Sequence, residues 1–308
     1  MPTAPRLSIL IISYNTREMT LECLRSVARE TRTPHEVIVV DNASPDGSAA
    51  AIAAEFPDIR LFAETTNHGF AGGNNLAATH ARGDYLLLLN PDTVVQDGAI
   101  DTLLAFAERT PDARIWGGRT LFGDGSLNPG SCWGRMTLWN VFARVSGLTR
   151  LFPHNPLFNP EDYGGWRRDS EAGVDIVAGC FFLIARADWE ALGGFDPVFF
   201  MYGEEADLCL RARRELGARP RITPEATIIH YAGASEAVRS DKMVRLLAAK
   251  MTLIKRHLPA WQRGAARRLY RLWPLTRRIA LGIAGRRERA AVWGEIWDRR
   301  AEWEHGFE

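Results

Sequence analysis

The chain of 308 residues predicts an α/β fold built on a mostly parallel, doubly wound sheet. Two observations carry this expectation. The run Tyr85-Leu86-Leu87-Leu88-Leu89 is wholly apolar and stops abruptly at Asn90-Pro91-Asp92. Upstream of it, short apolar runs alternate with helical patterns, the order of β-α-β units in a parallel sheet. An apolar run with no helical period and too little length to cross a membrane reads as a strand buried on both faces. Pro91 cannot continue a central strand. Asp92 is therefore presented at the carboxyl end of a strand, where open α/β sheets bind ligands. Its carboxylate either holds a divalent cation against a phosphate or caps a following helix.

The elements follow in order. Leu7 to Ile12 reads as a first strand, and Thr16 or its neighbours can cap a helix whose apolar face is Met19, Cys23, Leu24 and Val27. Glu36 to Val40 is a second strand ending in Asp41-Asn42, followed by the turn residues Ser44-Pro45-Asp46-Gly47. An alanine-rich helix from Ser48 to Phe56 leads to a short strand around Arg60-Leu61-Phe62. Asn67 to Asn75 opens a third helix, which precedes the Tyr85–Leu89 strand. Between Asp112 and Asp175 glycine, proline, asparagine and tryptophan are frequent, which suits long loops shaping a pocket or an irregular surface excursion. Order returns from Val174 to Ile184 as a strand pair or a strand plus turn. From Glu236 onward the pattern is one of basic amphipathic helices interrupted at Pro259 and Pro274, so domains are expected at 1–235 and 236–308.

The formal net charge of +1 hides an asymmetry, because Arg239 to Arg300 contains 17 Lys/Arg against 4 Asp/Glu. The four cysteines, Cys23, Cys132, Cys180 and Cys209, form no Cys-x-x-Cys pair. That spacing argues against a zinc site or a disulfide framework and fits a reducing compartment. The apolar Leu7–Ile12 run is too short for a signal-peptide core, and no stretch approaches a transmembrane helix in length. A cytoplasmic protein is the expectation.

Six motifs occur in a fixed order: Ser13-Tyr14-Asn15, Val40-Asp41-Asn42-Ala43-Ser44, Asn67-x-Gly69-Phe70-Ala71, Asn90-Pro91-Asp92, Gly193-Gly194-Phe195-Asp196 and Gly203-Glu204-Glu205-Ala206-Asp207-Leu208. Together they resemble glycosyltransferase family 2, and within it bacterial rhamnosyltransferase-like enzymes, over residues 7–235. The resemblance implies a GT-A fold, inversion at the sugar carbon, a nucleotide-sugar donor and Mg2+ or Mn2+. It maps the metal ligand onto Asp92. Asn90 stands where many members have the first acid of Asp-x-Asp, and a ribose contact suits it better. His230, at the end of Ile228-Ile229-His230, matches a histidine that some related enzymes use as a further metal ligand; read alone, an isolated histidine is more often structural.

The residues themselves are compatible with these roles. Asp41 ends its strand at the ligand edge, where it can accept the imide N–H of uracil or thymine. Tyr14 either borders the base or packs as a half-buried tyrosine. Ser13 and Asn15 flank it in the same nucleotide-binding motif. Asn67, Gly69, Gly72 and Asn74 form either a loop offering backbone N–H groups to ribose or phosphate or a plain helix opening. The spacing does not meet the dinucleotide fingerprint Gly-x-Gly-x-x-Gly. Glu204, Glu205 and Asp207 open a helix, as charge–dipole matching favours, or supply a general base. The family pattern maps the base onto Glu205, with Glu204 as the other candidate and Asp207 orienting the helix start, paired with Arg211.

The expected function is an inverting, metal-dependent glycosyltransferase using a dTDP- or UDP-sugar, dTDP-L-rhamnose first by resemblance, and a glycan or polyprenyl-linked acceptor. A nucleotidyltransferase would also place a metal carboxylate on such a sheet, but Leu7 to Arg17 lacks its basic glycine-rich loop. A catalytically silent sugar- or membrane-binding protein on the same fold would have lost Asp92 or the acidic cluster. The basic carboxy-terminal helices suit either an anionic membrane surface at the inner face of the cytoplasmic membrane or packing on another protein surface. No nucleic-acid recognition motif accompanies them.

Overall fold

The computed structural model describes residues 5–231 and 239–307. They form two compact units, each with its own apolar core. The boundary expected between Ser235 and Glu236 lies outside the described residues.

The first unit comprises the described residues up to Trp133, Arg167–Phe200, and those from Glu204 to the last strand. It opens with β1 (Leu7–Ser13), α1 (Arg17–Glu30), β2 (His35–Asp41), α2 (Ser48–Glu55), β3 (Arg60–Ala63), α3 (Gly69–Thr79) and β4 (Tyr85–Leu89). Next come β5 (Thr93–Val95), α4 (Ala99–Arg109), β6 (Ile115–Leu121), β7 (Leu127–Asn128) and β8 (Cys132–Trp133). The helices α5 (Leu138–Ser146) and α6 (Leu148–Leu151) belong to the second unit. The chain returns to the first unit through β9 (Ala172–Gly173), β10 (Ile176–Val177), β11 (Phe181–Ala185), α7 (Arg186–Leu192), α8 (Glu204–Glu215) and β12 (Arg221–His230).

The main sheet has the order β3-β2-β1-β4-β11-β6-β12-β5, with β7 on β6 and β9 on β12. The first four strands are parallel. β11 enters antiparallel between β4 and β6. β12 runs parallel to β6, and its end pairs antiparallel with β5. β4 is buried on both faces, as its unbroken apolar run requires. Ile9, Ile11, Leu87 and Leu89 share one apolar cluster with Leu24 of α1 and Leu103 and Phe106 of α4. The stretch from Asp112 to Asp175 is not all loop: β6 is an internal strand, its apolar Ile115-Trp116 start obscured in sequence by Gly117-Gly118.

The second unit contains Gly134–Trp166, Met201–Gly203 and the described residues from Arg239 onward. Its later helices are α9 (Arg239–His257), α10 (Ala260–Ile283) and α11 (Arg287–Asp298). The carboxy-terminal helices are therefore not a self-standing extension. Val141 of α5 shares their core with Val244, Leu247, Met251, Ile254, Ala266, Tyr270, Ile296 and Trp303. A capping box between Thr137 and Asn140 starts α5. Pro274 does not end a helix as expected; it lies inside α10, buried. Proline forfeits one backbone hydrogen bond there, and packing around it outweighs that loss.

A charged cluster is buried in this unit. The Glu161 carboxylate receives Lys250 Nζ and, at 3.1 Å, Arg144 Nε. Burial opposes ionisation of Glu161, but Lys250 and Arg144 outweigh it and hold the carboxyl at about 2, below its ordinary 4.5. By linkage this contributes about 3 kcal/mol of stability, fully present above the unfolded-state value and lost as pH falls towards the folded one. Glu161→Gln takes this counter-charge from Lys250 and leaves Arg144 only the more exposed Asp162, and should destabilise the unit by about 3 kcal/mol near neutral pH. In urea unfolding, the gap between wild type and Glu161→Gln should narrow from about pH 5 to about pH 3; a gap that stays constant would remove the ion cluster as its source.

Candidate active site

The carboxyl ends of β1 and β2 lie level, with Ser13 opposite Asp41 in register. Each strand then breaks through a left-handed residue, Asn15 at φ 54° and Ala43 at φ 61°. The two turns are tied together by the Asn15 N–H, which donates to Ser44 Oγ at 3.0 Å. Asp41 is 2 % exposed. Its Oδ2 accepts the Ser44 N–H at 3.2 Å, whereas no protein group donates to the buried Oδ1. A buried acceptor left without a donor costs about 1–3 kcal/mol, so this oxygen is set for an incoming N–H. Tyr14 is exposed beside it. The Ser13 side chain does not face outward; it is buried with the Thr16 and Thr20 hydroxyls, at 3.3 and 3.1 Å.

The loop into α3 is used differently from its sequence reading. Its first N–H groups are already bonded: His68 to Asn42 Oδ1 at 3.3 Å, Gly69 to Asn67 Oδ1 at 2.8 Å, and Phe70 to Phe200 O at 2.9 Å. They hold the chain rather than a ligand. Gly69 has φ +69°, and a Cβ there would collide with the Phe200 carbonyl, so the contact requires glycine. Asn74 lies further along α3, buried, with Nδ2 donating to Phe70 O at 2.9 Å. Asn75, which the sequence reading passed over, brackets the Phe195 backbone: Oδ1 accepts its N–H at 2.9 Å and Nδ2 donates to its carbonyl at 2.8 Å. The two residues are 120 positions apart, and no local signal announces the pairing.

The turn after β4 is pinned at both ends. The Asn90 N–H donates to Cys180 O at 3.1 Å, and Asn90 O accepts the Thr93 hydroxyl at 2.7 Å. The Tyr231 N–H donates to Asp92 O at 3.0 Å. Pairing of Thr93 with His230 sets the imidazole beside the turn. His230 Nε2 lies 3.3 Å from Asp92 Oδ1 and 3.3 Å from Asn90 Nδ2. Asp92, Asn90 and His230, far apart in sequence, thus converge. Burial disfavours an imidazolium at His230, but Cys180 and the Asp92 carboxylate outweigh it and raise its pKa to about 10. Donors cis to each other on an octahedral ion of Mg2+ size stand about 3 Å apart, and Asp92 Oδ1 with His230 Nε2 matches that spacing. Among the described residues no cluster of three or more His, Cys, Asp or Glu forms a complete metal cage. Asp92 and His230 could supply two donors to an ion, the cation displacing the proton that the imidazole otherwise shares with Asp92, and such an ion would complete its shell from substrate and water.

The acidic cluster opens α8. Glu204 and Asp207 are buried and Glu205 is partly exposed, so Glu205 is the carboxylate of the pair nearer to solvent. Arg211 Nε donates to Asp207 Oδ2 at 2.7 Å, and its two terminal nitrogens donate to Leu192 O and Gly194 O at 2.7 and 2.8 Å. Gly193 and Gly194 both have positive φ, 72° and 69°, which makes that tight turn possible. Asn75 holds the same turn from α3. The start of α8 is thus braced through Asp207, Arg211 and the Gly193-Gly194 turn onto α3.

Comparison with known proteins agrees with this architecture. The profile of Glycosyl transferase family 2 matches residues 8–189. The chain is 30 % identical over 237 residues to the O-antigen biosynthesis protein RfbC of Myxococcus xanthus, covering 75 % of this chain and only 18 % of that protein. It is 27 % identical over 237 residues to the N-acetylglucosaminyl-diphospho-decaprenol L-rhamnosyltransferase of Mycobacterium tuberculosis, covering 73 % of this chain and 76 % of the relative. In fold it is similar to the mannosyltransferase PcManGT from Pyrobaculum calidifontis in complex with GDP-Man and Mn2+, with a TM-score of 0.56, 17 % identity and coverage of 98 % and 88 %. S. aureus TarS in complex with UDP gives a TM-score of 0.53 at 15 % identity, with coverage of 87 % and 70 %. At these identities the structural likeness speaks for the GT-A fold alone. The family match spans more than half of the chain and joins the site to its fold: the chain belongs to glycosyl transferase family 2 and is a rhamnosyltransferase-like glycosyltransferase.

Proposed function

We propose that the chain is an inverting, metal-dependent transferase that moves L-rhamnose from dTDP-L-rhamnose, or a sugar from a related dTDP or UDP donor, to a hydroxyl of a glycan or polyprenyl-linked acceptor. It would work in cell-envelope polysaccharide synthesis, in the cytoplasm at the inner face of the membrane. The observation that carries the reading is the convergence of Asp92 Oδ1 and His230 Nε2, 3.3 Å apart, at the edge of the sheet that also carries Asp41. The mycobacterial relative, an N-acetylglucosaminyl-diphospho-decaprenol L-rhamnosyltransferase, supports both rhamnose and a lipid-linked acceptor. The archaeal relative, solved with Mn2+, supports the ion.

In this reading Asp41 Oδ1 accepts the imide N–H of the base, and Tyr14 and Asn15 border the nucleoside. Asn67, Gly69 and Asn74 contribute by shaping the loop beside it, Ser13 by supporting the edge, and Asn90 by facing the ribose. Asp92 and His230 would hold Mg2+ or Mn2+, which would neutralise the donor diphosphate and the charge growing on the leaving group. Glu205 takes the proton of the acceptor hydroxyl as that oxygen attacks the sugar carbon from the face opposite the departing diphosphate. Glu204 is the other candidate for this role. Asp207 and Arg211 hold the base in position.

Titration of Mn2+ into the protein with dTDP should show binding that Asp92→Ala and His230→Ala weaken at least about tenfold, with thermal unfolding of the free protein little changed. Asp92→Ala should also abolish transfer, and near-full turnover of that variant in a chelator would sink the assignment. Glu205→Gln should preserve dTDP affinity and lower turnover by on the order of 10²–10⁴. If Glu204→Gln is inactive while Glu205→Gln is active, Glu204 is the base. Arg211→Lys keeps the charge but loses the fork that reaches two carbonyls. It should lower kcat by roughly 10- to 100-fold with donor KM nearly unchanged; an unchanged kcat would reduce Arg211 to a packing residue.

A further inference from the structure

The 24-residue helix α10 has two apolar faces. At about 100° per residue, Ala266, Tyr270 and Pro274 fall on the face buried in the core of the second unit. Trp261, Leu272, Ile279 and Ile283 fall within about 40° of one another on the opposite side, where they are 77 %, 48 %, 53 % and 84 % exposed. Single exposed apolar side chains are ordinary, but an aligned row along one helix is not. Arg268 lies within the row, and Arg267, Arg271 and Arg278 line one flank of it. From Ala260 to Arg287 the sequence holds eight arginines, no lysine and no carboxylate. Arg271 does find Glu304, at 2.8 Å, yet the helix as a whole is strongly cationic.

A separate part of the same unit, met by Arg277 on the side of α10 opposite the row, also exposes aromatic side chains. The α5–α6 junction at Gly147 lies against the Arg277 side chain. Burial and the charge of Arg150 lower the pKa of Arg277. Around that junction Trp139, Phe142, Leu151 and Phe152 are exposed.

We propose that the face of α10 bearing the row docks on an anionic lipid surface, the row entering the headgroup layer while the arginines meet lipid phosphates. The combination of exposed apolar side chains and flanking guanidinium groups is what an interfacial helix requires. A second copy of the chain is a poorer occupant, because apposing two such helices would bring their arginines together without counter-charge. Nucleic acid would use the arginines but gain little from Ile279 and Ile283. The docking surface deepens the lipid-linked-acceptor reading and rests on it only for its purpose, since lipid binding is measured without donor or acceptor.

The test is flotation of the full chain with phosphatidylglycerol-containing vesicles and with pure phosphatidylcholine vesicles, at low salt. The wild type should float with the anionic vesicles and remain largely soluble with the neutral ones. Ile279→Asp with Ile283→Asp should reduce the bound fraction at least about tenfold, and each of Arg268→Ser and Arg278→Ser by about fivefold. These side chains are exposed, so thermal unfolding should match the wild type and certify the fold. Wild-type protein that stays soluble with anionic vesicles, or variants that float as well as it does, would overturn the proposal. So would a dimer in sedimentation that the Ile279/Ile283 variant dissociates, which would make the row a contact between copies. Binding of dTDP, measured on the same samples, separates the claims: lost flotation with intact dTDP binding overturns the docking surface alone, and the reverse overturns the donor assignment alone.

Discussion

The chemistry of the first unit depends on one register. Asp92 leaves β4 because Pro91 cannot stay in the sheet, and His230 reaches it only because β12 pairs with β5 so that His230 sits opposite Thr93. Side chains alternate across a strand, so a slip of one residue would turn the imidazole to the other face and leave the carboxylate alone. The register is over-determined. Ile228, Ile229 and His230 pair with Val95, Val94 and Thr93, and the Tyr231 N–H closes the ladder on Asp92 O. Strand register, together with Pro91 and the Thr93 hydroxyl in the turn, therefore sets a carboxylate–imidazole distance of 3.3 Å.

A second constraint runs through side chains. Asn75 spends its whole amide on the Phe195 backbone, and Arg211 spends its fork on Asp207 and two carbonyls. Both residues convert glycine-rich loop, which has no intrinsic preference for one conformation, into a fixed support for the acidic end of α8. Buried and fully bonded polar groups of this kind stabilise one geometry over its neighbours more than they stabilise folding as such. Glycosyl transfer needs that discrimination, since a misplaced base loses rate steeply with distance.

Much of this was legible in the chain because it is local. An apolar run followed by Pro-Asp, a strand ending in Asp-Asn, and glutamates at a helix start each announce themselves within a few residues, and β1 to β4 followed from them. What could not be read is non-local. Nothing near Phe181 says that β11 will insert antiparallel between β4 and β6, and nothing near Asn75 points to Phe195. The opening of α3 shows the same limit: its sequence allows either a cradle for ribose or phosphate or a plain helix opening, and only distant Asn42 and Phe200, with Asn67, reveal that its first N–H groups are bonded within the chain. Pro274 misled because burial on a packed helix offsets a hydrogen bond that an isolated helix could not lose cheaply. The Gly- and Trp-rich stretch hid α5, whose Val141 finds its fully buried core partners beyond residue 239.

That last arrangement bears on how the chain can be divided and made. Val141 and Glu161 come off the ribosome well before Tyr270 and Lys250, the side chains that complete their surroundings. The helical unit can close only when the segment from Arg239 onward is synthesised, and long-range closure of this kind is slow relative to local structure. Until then a nascent chain carries an unburied α5 and a Glu161 that has Arg144 but not Lys250. Cutting the chain after β12 reproduces that immature state permanently: it yields a sheet with an orphaned helical insertion rather than a clean catalytic domain. Sound dissection would have to remove Gly134–Trp166 together with the carboxy-terminal helices, and the cut ends are close enough to rejoin, since Arg168 donates to the Cys132 carbonyl at 3.3 Å.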